Sequence, residues 1–183
     1  MHLRLAKCRR KTRRVNFVTR LECANCAKQY PAGQAYNLCT DCQRPLWVRY
    51  DLNAVKAAFP KEQLAKRPVD LWRYRELLPY VDPANVVSLG ETMTPILETS
   101  QLGAELGLSH LLFKDESRLP TGSFKARGMA MALTMANEFG IKRVACPTAG
   151  NAGGAMAAYA SRAGMESFAV SYTHLTLPTI YSV

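Results

Sequence analysis

The sequence predicts an α/β protein in which a small cysteine-bearing segment precedes a parallel sheet with flanking helices. Three observations carry this. From Val86 onward, short apolar runs and helical runs alternate with brief loops, the pattern of a sheet covered by helices. Two of the helical runs open on glycine-bearing turns, "PTGSFK" and "PTAGNAGG". Ahead of that layer, four cysteines fall in two C-x2-C pairs, a spacing that suits one metal ion.

The elements follow in order. Residues 1–20 hold eight of the 24 Lys and Arg and none of the 14 acidic residues. Basicity is therefore a property of the tail, because the remaining chain carries 16 basic and 14 acidic groups out of a net +10. Residues 1–14 read as a basic extension: a nucleic-acid-binding arm, an Arg-rich transit segment, or translation from a start codon placed too far upstream. The last is preferred, because nothing in the segment patterns like an element. Residues 15–50 form the cysteine segment, with strand-like runs such as "LWVRYDL". "NAVKAAF" and "KEQLAK" read as short helices ended by Pro60 and Pro68, and "DLWRYRELLP" as a third ended by Pro79. Then come a helix in "SQLGAELGL", a strand in "HLLFKDE", a helix over 123–139, a strand in "KRVACP", a helix over 152–164 and a strand beginning in "ESFAV". No apolar run approaches a membrane span and no signal-like h-region follows the start. The cytoplasm is the expected compartment, with no membrane partner.

Cys23, Cys26, Cys39 and Cys42 form a C-x2-C–x12–C-x2-C array. Two such turns close a tetrahedral site for Zn²⁺, so a structural zinc ribbon is expected. Disulfides are disfavoured in a cytosolic chain. Cys8 and Cys146 lie outside the array, and Cys146 reads as a buried strand residue.

Lys125 falls in the first turn of its helix, where the positive end of the helix dipole disfavours a cation. Two readings are open. Its amine forms a Schiff base with a carbonyl cofactor, or it is an exposed lysine that leans away at a cost of roughly a few tenths of a kcal/mol. The second turn aims backbone N–H groups at an anion, with Thr148 and Asn151 adding side-chain hydrogen bonds. It does not fit G-x-G-x-x-G, which disfavours a dinucleotide; glycines needed only for close packing are the alternative. Both turns are expected at the carboxyl ends of neighbouring parallel strands, where open α/β sheets bind ligands.

The segments "LECANC", "LCTDC", "PLWVRYDL", "LWRYRELLP", "SLGETMTPIL", "LLFKDESRLPTGSFKARGMAMA" and "PTAGNAGGAMAAYASRAGM" resemble the threonine synthase family. These are pyridoxal-phosphate enzymes with the tryptophan synthase β-like fold, and the resemblance covers roughly residues 17–169. It implies pyridoxal 5'-phosphate bound as a Schiff base on Lys125, with Phe124 near the cofactor ring and Asn151 bonded to the ring's 3-hydroxyl oxygen. Thr148 and Gly150 would face the substrate carboxylate. The implied reaction takes O-phosphohomoserine and water to threonine and phosphate, with a homodimer open to the full-length parent. Ala126 departs from the Asp that many relatives carry there. The alternatives are another lyase of the fold, such as a threonine dehydratase, or a zinc-ribbon nucleic-acid-binding protein. For the latter, Lys28, Arg44 and Arg49 are a thin supply of basic groups on the ribbon.

By the family pattern, residues 51–169 are an incomplete N-terminal region of the enzyme. "VSYTHLTLPT" has no place in that pattern, and residues 170–183 read as a translated sequencing adapter. This chain is therefore expected to be inactive alone.

Overall fold

The computed structural model describes residues 16–148 and 150–170. The basic extension over 1–14 and nearly all of the adapter-like tail lie outside these residues. Two compact units are present, one within Met1–Lys61 and Tyr74–Ala84, the other within Glu62–Arg73 and Asn85–Val183.

In the first unit, β1 (Val18–Cys23), β2 (Gln29–Tyr30) and β3 (Leu46–Tyr50) form an antiparallel sheet in the order β2-β1-β3. Leu21 stands opposite Tyr30 on one side and Val48 on the other. Helix α1 (Leu52–Ala58) starts under a side-chain cap, with the Ala54 amide donating to Asp51 Oδ1 at 2.9 Å. The small core of this sheet is Cys23, Tyr30 and Cys39. So few apolar side chains make a weak core for a segment of this size, the setting in which a metal centre is commonly needed.

The second unit holds β4 (Ile96–Glu98), α2 (Ser100–Glu105), β5 (Leu112–Lys114), α3 (Lys125–Glu138), β6 (Arg143–Pro147), α4 (Asn151–Arg162) and β7 (Glu166–Val170). α3 and α4 pack through small residues, Ala126, Ala130 and Ala160, with Leu133, Met156 and the fully buried Tyr159 filling the remaining space. Each helix ends on a left-handed glycine, Gly140 (φ 71°) and Gly164 (φ 64°), a conformation that L side chains resist. Both turn the chain directly into β6 and β7, which pair in parallel.

Three expectations change in detail. "KEQLAK" and "LWRYREL" are 3-10 helices, Lys61–Lys66 and Leu71–Leu77, the second broken by a non-helical Tyr74 (φ -101°, ψ 27°); the tighter 3-10 form is common in short connectors of this kind. β5, expected in the parallel sheet, pairs instead with β4 in an antiparallel ribbon. Among the described residues the parallel pairing is that of β6 with β7. Cys146 is half-buried rather than buried.

Candidate functional site

Buried Leu119 anchors the approach to Lys125. The 3-10 turn Pro120–Gly122 follows, with Thr121 at φ 67° and Gly122 at φ 68°. A β-branched residue with positive φ is a steric outlier, and such strain concentrates at ligand-binding turns. Ser123 and Phe124 then deliver Lys125 as the first residue of α3. The Lys125 Nζ lies 4.4 Å from the centroid of the Phe124 ring, and Phe124 is 60% exposed. No carboxylate pairs with this amine among the described residues. Beside it, the Ser123 hydroxyl is buried with no hydrogen-bond partner, an unpaired state that costs about 1–3 kcal/mol unless a ligand relieves it. Ala126 is completely buried in the core, a place where a carboxylate would be costly.

Asn151, exposed, opens α4. Thr148 folds over this opening: its Oγ1 accepts from the amides of Gly150 (3.1 Å) and Gly153 (3.2 Å) and donates to the Gly150 carbonyl (3.4 Å). Its hydroxyl is thus committed to shaping the turn, with its proton in the weakest of the three bonds. A Cβ on Gly153 would stand 2.5 Å from Thr148 Cγ2. The glycine is therefore what lets threonine lie across the helix start.

The two turns meet through α4, which packs against both α3 and the Pro120–Gly122 turn. Two side-chain networks not foreseen from the sequence fix the segment 88–94 to these helices. Arg127, two residues after Lys125, donates to Glu116 Oε2 at 2.6 Å and Oε1 at 3.0 Å, and to the Thr92 carbonyl at 3.2 Å. Thr94 adds a 2.5 Å bond to Glu116. The Arg127 guanidinium holds the Glu116 carboxyl down at about 2. Glu91, fully buried, accepts from the Tyr159 hydroxyl, from Ser88 Oγ at 2.7 Å and from the Leu89 amide at 2.8 Å. Burial alone would raise the Glu91 carboxyl, but these three donors keep it below the usual range. Burial and the Glu91 charge push the Tyr159 hydroxyl upward. The only sequence signal for either network was the acid in "GETMTP" and "KDES".

In the first unit, the sulfurs of Cys23, Cys26, Cys39 and Cys42 lie within 4.8 Å of one another, and no disulfide joins them. The two turns match closely. Cys23 N donates to Lys28 O and Cys39 N to Arg44 O, both at 2.9 Å. The residue after each second cysteine, Ala27 (φ 59°) and Gln43 (φ 55°), is left-handed. Sulfur separations of 3.4, 3.5 and 3.7 Å lie close to the edge of about 3.8 Å that a tetrahedron with Zn–S of about 2.3 Å requires. The Tyr30 hydroxyl favours the Cys39 thiolate, bringing it to about 6. The Lys28 amide favours the Cys26 thiolate, but the neighbouring Cys23 and Cys39 sulfurs and burial outweigh it and push Cys26 up to about 12. Four sulfurs so placed do not ionise together without a cation among them, and the donor set fits Zn²⁺. Lys28 is paired with Asp41 and Arg49 with Glu22.

The family model described as "Pyridoxal-phosphate dependent enzyme" matches residues 87–178, which include both turns. The chain belongs to the pyridoxal-phosphate dependent enzyme family. Membership fixes the α/β class and the cofactor of the family. This chain's own groups fit that cofactor: an unpaired amine for a carbonyl, an orphaned hydroxyl next to it, and a helix start of the kind that binds anions. Among relatives, threonine synthase of Methanocaldococcus jannaschii is 40% identical over 144 residues, 79% of this chain and 35% of that protein. Threonine synthase of Methanosarcina acetivorans is 34% identical over 145 residues, with the same shares. Threonine synthase of a Synechocystis strain is 43% identical over 98 residues, 53% of this chain and 26% of that protein. The chain spans about a third of the length of the first two relatives.

Proposed function

We propose that this chain is the Schiff-base-bearing region of a threonine synthase, which converts O-phosphohomoserine and water to threonine and phosphate. The observation that carries the reading is an unpaired lysine opening one helix and an asparagine opening the helix packed against it. Relatives named threonine synthase, sharing 34–43% identity across these segments, support it. Residues 51–169 belong to the tryptophan synthase β-like layer and residues 15–50 to a zinc ribbon. The whole enzyme acts in the cytoplasm on a small molecule, without nucleic acid or membrane, and a homodimer is open to it.

When bound, pyridoxal phosphate supplies the electron sink for charge left at carbon after proton removal. Lys125 would hold the cofactor through its amine, the same group that would move protons among the substrate carbons. Among the described residues no carboxylate competes for that amine. Phe124 would lie near the cofactor ring, and Asn151 would hydrogen-bond its 3-hydroxyl oxygen. Thr148 and Gly150 face the substrate carboxylate, for which Thr148 gives up its long bond to the Gly150 carbonyl. Cys23, Cys26, Cys39 and Cys42 hold one structural Zn²⁺ that fixes the small sheet and takes no part in the reaction.

The test is substrate preference in a chain completed to the length of its relatives. Phosphate and threonine should form from O-phosphohomoserine faster than 2-oxoacid forms from threonine or serine. The reverse order would assign the dehydratase reaction instead.

A further inference from the structure

The two metal-binding turns share one backbone design, but the Tyr30 side chain bonds a cysteine of the second. Cys23 Sγ receives the amides of Asn25 and Cys26, both at 3.4 Å. Cys39 Sγ receives the hydroxyl of Tyr30 at 3.2 Å. Tyr30 comes from β2, between the turns, and is itself buried. Its oxygen also accepts from the Thr40 amide at 2.9 Å, which aligns the hydroxyl with the second turn.

The geometry points to Tyr30 as an outer ligand of the metal centre, donating to the Cys39 thiolate and making the Cys39–Cys42 turn the tighter half of the site. This rests on the Zn²⁺ reading above. The phenol proton has two neighbours, Cys39 Sγ and Thr40 Oγ1 at 3.2 Å. The Thr40 hydroxyl bonds Asp41 Oδ1 at 3.0 Å and takes a 3.0 Å bond from Lys28 Nζ, so its own needs are met. A metal-bound thiolate is the charged acceptor of the pair, and charge-assisted bonds are the stronger. Metal binding thus fixes the phenol proton on sulfur, and the phenol in turn stabilises that sulfur's charge. Groups in this outer position hold metal ligands in orientation, and their removal commonly weakens metal binding 10–100-fold.

Tyr30→Phe isolates the hydroxyl, because it keeps the ring that packs edge-on to Tyr36 at 5.1 Å. Tyr36→Phe is the control, since among the described residues the Tyr36 hydroxyl meets only Gln34 Oε1, at the surface. The 183-residue protein is loaded with Co²⁺, read by its thiolate-to-metal charge-transfer absorption, and Zn²⁺ affinity is then measured by displacement. Tyr30→Phe should lower Zn²⁺ affinity roughly tenfold and move the charge-transfer band to lower energy, while Tyr36→Phe changes neither. A Tyr30→Phe protein with the wild-type band at saturating Co²⁺ and wild-type affinity overturns the role of Tyr30 alone. A wild-type protein that takes up neither metal overturns the metal centre itself.

Discussion

Replacing Glu116 with Gln tests how the head of α3 is held. The carboxylate takes two bonds from Arg127 and one from Thr94, and Arg127 lies in the same first turn as Lys125. The fall of the Glu116 carboxyl from 4.5 to about 2, at about 1.4 kcal/mol per pH unit, bounds the contribution of its charge at about 3 kcal/mol. The side chains of Glu116 and Arg127 are 22% and 28% exposed. Solvent screening and the bonds that glutamine retains reduce the expected loss to about 1–2 kcal/mol at neutral pH. The carboxyl is held below its unfolded value, so its stabilisation is complete above about pH 4.5 and fades as the pH falls toward 2. Urea unfolding of both proteins, followed by helical circular dichroism, measures the gap at neutral pH and again at pH 3. The gap should shrink at the lower pH. A gap below about 0.5 kcal/mol at neutral pH, or one unchanged at pH 3, would refute the ion pair as the tie that holds this helix.

Gly153→Ala should cost about 2 kcal/mol in the same unfolding assay, because the new Cβ displaces Thr148 and with it the bonds that close the turn. Adding Thr148→Ser, which removes the clashing methyl and keeps the hydroxyl, should restore most of the loss. Tyr159→Phe should cost about 1–3 kcal/mol by leaving Glu91 buried with one donor fewer. Because the folded Tyr159 hydroxyl is raised, wild-type stability should be complete below the ordinary tyrosine pKa of 10 and decline above it, a decline that Tyr159→Phe should reduce; equal alkaline profiles would count against the pair. Metal analysis should find close to one Zn²⁺ per chain, lost when any two of the four cysteines become Ser, and removal by a chelator should unfold the small sheet. Unchanged folding after complete metal removal would contradict a structural role.

What was legible in the sequence was local. The helices α3 and α4 could be read because each is a long run of good helix formers ended by glycine. The four cysteines could be read because their spacing states its own geometry. What escaped was non-local. β4 is three residues long and exposed throughout, so it shows neither length nor alternation, and its capture of β5 depends on a pairing that no period encodes. Nothing local marks Glu91 for burial, since a buried carboxylate is rare without partners. Its main partner, Tyr159, lies 68 residues away. The helix expected from residue 123 starts only after Phe124 and without a side-chain cap, and the Ser123 hydroxyl becomes the unpaired group beside Lys125.

The central claim is that Lys125 is the residue that takes the cofactor. In a chain completed to the length of its relatives, pyridoxal phosphate is added, the product is reduced with borohydride, and the modified lysine is mapped by peptide mass. One pyridoxyl group per chain is expected, on Lys125, and none after Lys125→Ala. Stoichiometric labelling of any other lysine, or labelling that survives Lys125→Ala, would contradict it.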